Sequence, residues 1–169
     1  MKKIAPHGPW LPDYIAPSVH AIDLHALRAL DITHLAFDLD DTLVTRRSNV
    51  LTNEDKAFLE GVRRLGFQIY IASNTLRTIE TILQTIQAPA VRATLLSRKP
   101  FPGYYRRLIR ATGTSPRHIA MVGDNIINDI YGANKAGLVT IFVLPQLRRH
   151  RFLSTHYINR AIKHEPICQ

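Results

Sequence analysis

The sequence predicts an α/β domain built on a five-stranded parallel sheet with helices on both faces. Three observations carry that prediction. Short apolar runs of strand length alternate with helix-length segments across residues 33–145. Helix-start and helix-stop residues punctuate them, among them Thr52, Gly66, Pro102, Gly113 and Gly137. Acidic and polar residues then follow the ends of the apolar runs, where open parallel sheets bind their ligands.

Each element has its own signal. The first 17 residues hold Pro6, Pro9, Pro12 and Pro17 and read as an irregular arm. Asp23 is placed to cap a short helix reaching Leu30. Residues 33–37 form a short strand. Thr52 opens a helix that runs to Leu65 and stops at Gly66. Residues 67–72 are a strand, Arg77 to Gln87 a helix ended by Pro89, and Ala90 to Leu95 a weaker strand. Pro102, at a first-turn position, starts a helix that ends near Gly113. His118 to Val122 is a strand, Ile126 to Ala136 a helix, and Val139 to Leu144 the last strand. The expected organisation is a single domain over 1–169: an arm with a short helix (1–32), a core (33–145) and a basic tail (146–169).

Composition bounds the function. At 169 residues, with 46% apolar and 21% charged residues, the chain suits one globular domain and excludes bulk disorder. No apolar run is long enough to span a bilayer, and no signal-peptide core follows Lys2-Lys3. The expected location is therefore cytoplasmic. The lone Cys168 excludes an internal disulfide framework and a cysteine zinc site. A net charge of +9 draws the chain toward polyanions: nucleic acid, anionic membrane or phosphorylated substrates.

The strand ends narrow the choice. The first delivers Asp38-Leu39-Asp40-Asp41-Thr42, the second Ser73-Asn74, the third is followed by Lys99, and the fourth delivers Gly123-Asp124 with Asp129 beyond it. Taken singly, each has a plain structural reading, as an acidic turn, a strand exit, a solvated lysine or a helix start. The first is not a calcium loop, because Leu43 and Asn49 stand where glycine and the closing glutamate belong. Together, carboxylates at one edge call for Mg²⁺, a hard cation that binds oxygen ligands and phosphate. An aspartate in line with phosphorus can act as nucleophile. A second, two residues on, lies on the same side of an extended chain and can serve as acid and base. The set reads as phosphoryl transfer.

In order and spacing, the set resembles the haloacid dehalogenase (HAD) superfamily of phosphohydrolases. Phe37-Asp38-Leu39-Asp40-Asp41-Thr42-Leu43 is similar to its first motif, Ser73 to its second, Lys99 to its third, and Gly123-Asp124 with Asp129 to its fourth. The resemblance implies a three-layer, Rossmann-like fold. It implies Asp38 as nucleophile, Asp40 as general acid and base, and Thr42, Ser73 and Asn74 as phosphate-orienting groups. Lys99 would balance the charge of nucleophile and phosphate. Mg²⁺ would be held by Asp38, the Asp40 carbonyl and Asp124, with Asp129 supporting it. The intervals after the first and second motifs are too short for a cap domain, so an open site is expected.

A narrower resemblance, to the YqeG-type branch of subfamily IIIA, lies in Leu11-Pro12-Asp13-Tyr14, Asp41-Thr42-Leu43-Val44 and the run from Asn128 to Gly137. That branch is related to phosphatidylglycerophosphate phosphatases. It implies an anionic phospholipid head group as substrate and peripheral contact with the inner face of the membrane. Lys2, Lys3, Arg148, Arg149 and Arg151 are candidate contacts, with Trp10 and Tyr14 at the interface. Arg46 and Arg47 lie where they can meet an anionic substrate. The alternative is a soluble sugar phosphate or nucleotide, with a neighbouring subunit as cap. No nucleic-acid partner is expected, because no stacking array of aromatics is present.

Overall fold

The computed structural model describes residues 1–4, 8–44 and 50–144. Seven strands form one sheet: β1 (Lys2–Lys3), β2 (Tyr14–Ala16), β3 (His34–Phe37), β4 (Gln68–Ser73), β5 (Ala90–Arg92), β6 (Ile119–Gly123) and β7 (Val139–Val143). Their order is β1-β2-β7-β6-β3-β4-β5. All neighbours are parallel except β1 on β2. The helices are α1 (Leu24–Ala29), α2 (Asn53–Arg64), α3 (Glu80–Ile86), α4 (Pro102–Thr112) and α5 (Gly132–Lys135).

The local signals act as their chemistry requires. Asp23 Oδ1 accepts from Ala26 N at 2.9 Å and starts α1. Thr52 and Asp55 form a reciprocal cap on α2, with Thr52 Oγ1 accepting from Asp55 N at 3.1 Å and Asp55 Oδ2 from Thr52 N at 2.8 Å. Gly66 and Gly113 follow their helices at φ of 82° and 65°, where a Cβ would be strained.

Alternation along the strands divides the core into two layers. Leu35, Phe37 and Ile71 join one buried cluster with Leu27 of α1, Leu59 and Val62 of α2 and Ile82 of α3. Ala36, Ala72 and Met121 face the other way, against Tyr104, Tyr105 and Leu108 of α4 and Ala133 of α5. A sheet covered on both faces is the expected three-layer arrangement.

The sheet is two strands wider than the sequence suggested. The arm was read as irregular, yet β2 runs parallel to β7, pairing Tyr14 with Ile141 and Ala16 with Val143. Its side chains explain the docking. Asp13 N donates to Thr140 Oγ1 at 3.0 Å, and Thr140 N donates to Asp13 Oδ2 at 2.8 Å. Asn134 Nδ2 donates to the carbonyls of Pro9 and Leu11. Pro12 and Pro17 flank the strand without entering it, so its amides stay free to pair with β1 and β7. Tyr14 is consequently buried rather than available to an interface. Trp10 stacks on Tyr131 with ring centroids 4.1 Å apart.

Other boundaries shift where the chain serves the site. α3 starts at Glu80, three residues later than expected, and β5 stops at Arg92. The helix expected from Ile126 opens with a wide turn, Ile126–Tyr131, and only Gly132–Lys135 is α-helical. Among the described residues, α2 and β4 lie between the first and second motifs, and α3, β5 and a tight turn between the second and third; neither interval holds a further domain. Arg46, Arg47 and the basic tail lie outside the described residues.

Candidate active site

From β3 the chain winds through α2, β4 and α3 to β5 at one edge, then returns by α4 to β6 on the other side of β3. The crevice at such a reversal, beyond the carboxyl ends of the strands, is where this architecture binds ligands. A cleft of about 370 Å³ opens there, lined by Asp38, Asp40, Ser73, Asn74, Lys99, Asp124 and Asp129 together with Arg77.

Lys99 is the hub. Its Nζ donates to Asp38 Oδ1 at 2.6 Å, Asp129 Oδ1 at 2.6 Å and the Ala72 carbonyl at 2.7 Å. All three protons of the ammonium are therefore used. The Lys99 side chain is 1% exposed, as is that of Asp129. Burial alone would pull the ammonium's pKa down, but Asp129 and Asp38 reverse this and raise it well above its ordinary value. Lys99 stays charged.

The carboxylates outnumber it. Burial raises the Asp38 carboxyl to about 7; Lys99 opposes the shift and Asp129 adds to it. Burial likewise raises Asp124 to about 8, with Asp129, Asp38 and Asp41 adding repulsion. Oxygens of Asp38, Asp124 and Asp129 lie within 4.8 Å of one another. One buried ammonium cannot balance them, and an all-oxygen acidic set fits a hard divalent cation. Asp129 has both oxygens engaged, Oδ1 by Lys99 and Oδ2 by Asn125 N at 3.0 Å. Asp38 and Asp124 are thus the better placed direct ligands, with Asp129 as the supporting acid.

The wide turn after β6 explains how Asp129 gets there. Asn125 Oδ1 accepts from the amides of Ile127 and Asn128, and Asn125 O from Asp129 N and Ile130 N. The turn folds Asp129 back over Gly123, so close that a Cβ on Gly123 would lie 2.3 Å from Asp129 Oδ2. No real Cβ fits there, which is why the residue before Asp124 is glycine.

Every site residue expected from the sequence lines or adjoins the cleft, and two of them have protein partners that the sequence did not announce. Asn74 was read as phosphate-orienting. It lines the cleft, and its amide clamps the Lys99 backbone, with Nδ2 donating to Lys99 O at 2.9 Å and Oδ1 accepting from Lys99 N at 2.8 Å. Asp40 is held by a group the sequence reading missed: Arg77 Nη2 donates to Asp40 Oδ1 at 2.5 Å. The Arg77 carbonyl is itself anchored by Arg92 Nη2 at 2.7 Å. An arginine four positions after Ser73 carries no periodic or spacing signal, so only the fold reveals it. Ser73 is buried with Oγ accepting from Thr75 N, and Thr42 Oγ1 lies 3.4 Å from Asp124 Oδ1. Asp41 sits at φ 64°, a left-handed position that Asp tolerates better than most residues.

The chain is similar to known proteins. A family model described as HAD-hydrolase-like matches residues 96–157. The chain is 24% identical over 155 residues to "Probable phosphatase YqeG" of Bacillus subtilis, covering 91% of this chain and 87% of that protein. Among solved structures, a HAD phosphatase from Thermococcus onnurineus superposes with a TM-score of 0.58 at 16% identity, over 79% of this chain and 98% of that one. The HAD-hydrolase YfnB of Bacillus subtilis, bound to magnesium, gives 0.54 at 15% identity, over 69% and 89%. These two structural likenesses speak to the fold alone.

Proposed function

We propose that the chain is a phosphatase of the HAD superfamily and hydrolyses a phosphomonoester through an aspartyl-phosphate on Asp38 with the help of Mg²⁺. The observation that carries this reading is the buried Asp38–Lys99–Asp129 cluster at the floor of the cleft, with Asp40 held at its rim.

Lys99 fixes one oxygen of Asp38 and leaves the other to attack phosphorus. As the Asp38–phosphorus bond forms, the bond to the leaving oxygen breaks, and Asp40 gives that oxygen a proton. Asp40, now ionised, takes a proton from water. The water attacks the aspartyl-phosphate, releases inorganic phosphate and restores Asp38. Thr42 and Ser73, small hydroxyls at the ends of the turn and strand beside Asp38, bind the phosphate oxygens. Asp38, Asp124 and the Asp40 carbonyl would hold Mg²⁺, which would neutralise the charge of the phosphate.

The substrate we propose is phosphatidylglycerophosphate, presented at a membrane surface. Three features support it. The cleft has no covering domain among the described residues, which suits a substrate held in a larger body. The net charge of +9 favours an anionic surface. The similarity to a YqeG protein extends over 91% of the chain. No helix of the described residues is long and apolar enough to cross a membrane, so contact with lipid would be peripheral.

The test is phosphate release from phosphatidylglycerophosphate in mixed micelles beside a panel of soluble esters, with and without Mg²⁺ and with Asp38→Asn as blank. Preference for the lipid supports the reading. Turnover of soluble esters alone overturns the lipid assignment, and release equal to the blank throughout overturns the mechanism.

A further inference from the structure

The edge that holds the cleft also carries side chains that the chemistry leaves unused. Thr94 and Ser97 close a two-residue turn through Thr94 N to Ser97 O at 2.8 Å and Ser97 N to Thr94 O at 3.2 Å. Leu95 and Leu96 stand at its tip, 99% and 98% exposed. The turn lies between β5 and Lys99, so its tip belongs to the carboxyl edge of the sheet. Leu76 beyond β4, Phe101 beyond Lys99 and Ile127 beyond β6 are exposed on loops of the same edge. Scattered surface leucines are ordinary, but two adjacent ones fully exposed on a tight turn contribute nothing to this core and mark a contact surface.

The charge around the tip selects the contact. From Thr81 to Gly123 every charged residue is a cation. Arg98 and Arg106 are exposed. Ser97 Oγ and Arg106 Nη2 lie 3.6 and 3.9 Å from the point a Cβ on Gly103 would occupy, so this guanidinium stands at the foot of the turn. An apolar tip with exposed Arg98 and Arg106 close to it, on a stretch of chain without Asp or Glu, matches an anionic lipid surface: leucines enter the acyl boundary while arginines meet the headgroups. A second copy fits less well, because a two-fold contact would set this cationic face against itself.

We propose that the Leu95–Leu96 turn docks on an anionic bilayer and presents the cleft to its headgroup layer. The proposal rests on the lipid-phosphatase reading for its purpose, but binding needs no turnover, so the two can fail separately.

The experiment is co-sedimentation of the full chain with vesicles of phosphatidylcholine alone and of equal parts phosphatidylcholine and phosphatidylglycerol. The Asp38→Asn protein is run in parallel to show that binding is independent of catalysis. Binding to the anionic vesicles is expected. Leu95→Ser with Leu96→Ser should weaken it about tenfold or more, and Arg98→Gln about fivefold. Leu30→Ser, before β3 at the opposite edge, should leave it unchanged. Hydrolysis of a soluble ester by the double serine variant should match wild type, which shows that the variant is folded. Undiminished vesicle binding by that variant would overturn the proposal, as would failure of wild type to bind anionic vesicles. A wild-type dimer that the double variant splits, without lipid binding, would assign the turn to self-association and overturn it too.

Discussion

Two ion pairs flank the cleft, and they are built differently. Asp38–Lys99 is shut inside, with Lys99 bridging to Asp129 and both Lys99 and Asp129 only 1% exposed. Arg77–Asp40 sits at the rim, its side chains 27% and 19% exposed. The residues differ by two positions along one chain, yet one carboxylate is locked and the other is accessible. The division fits their proposed tasks. A nucleophile gains from a fixed line of attack. An acid that must reach the leaving group and then water gains from a partner it can release.

The largest expected effect tests the locked side. Asp38→Asn keeps the shape but removes the nucleophile, and phosphate release should fall by at least about 10³-fold. Measured by single-turnover assay with a labelled ester, wild type should pass through an acid-stable acyl-phosphate that the variant lacks. Equal rates in the two would sink the mechanism.

Lys99→Met should come next, and it acts on stability as well. It leaves Asp38 and Asp129 facing each other in a dry site without their cation. Breaking such a buried pair costs about 3–5 kcal/mol. The loss, read by denaturant unfolding, should shrink in acid, where the carboxyls can protonate. A pH-independent loss would mean that charge is not the reason for Lys99.

The same cluster fixes the sign of a pH effect. In the metal-free protein Asp38 and Asp124 titrate at about 7 and about 8, above their ordinary value. Between that ordinary value and pH 8 the folded chain therefore holds more protons than the unfolded one. Its stability should be full in acid and fall as pH rises through this window. Saturating Mg²⁺ should flatten the slope, because a cation takes the place of the protons. Thermal midpoints across the window, with and without Mg²⁺, check both statements. A midpoint that rises with pH in the metal-free protein would contradict the crowded-carboxylate picture.

How much of this was legible in the sequence divides along the same line. Asp38, Asp40, Ser73, Lys99, Asp124 and Asp129 were placed by their order at strand ends, because parallel topology brings those ends to one edge. The parallel core was legible because its strands are apolar and its helix caps explicit. What escaped depends on pairing between distant segments. β2 joins β7 through Asp13 and Thr140, 127 residues apart, and nothing local in a proline-rich arm announces that. The contact of Asn74 with the Lys99 backbone forms only when the chain returns 25 residues later, so no local pattern shows it. The wide turn at Ile126–Tyr131 looks helical in pattern, and only the need to fold Asp129 over Gly123 distinguishes it.

Arg77 is the sharpest instance, and it gives the smallest and most discriminating prediction. If Arg77 positions Asp40 for proton delivery, Arg77→Ala should slow turnover of alkyl phosphates about tenfold, a part of the roughly 10²–10⁴-fold that general acid catalysis contributes. The same change should matter little for p-nitrophenyl phosphate, whose leaving group departs as a stable anion and needs no proton. The split is the diagnostic. A merely structural role would depress both substrates alike, and a role in binding the substrate's own charge would raise KM and leave kcat intact. Arg77→Lys keeps the cation without the planar fork and should recover only part of the alkyl rate. Equal losses on both substrates would return Asp40 to a rim residue held for stability. A loss confined to alkyl esters would make the rim pair part of the chemistry, and would show that an open cleft can tune its acid with a residue that lies outside every motif of the sequence.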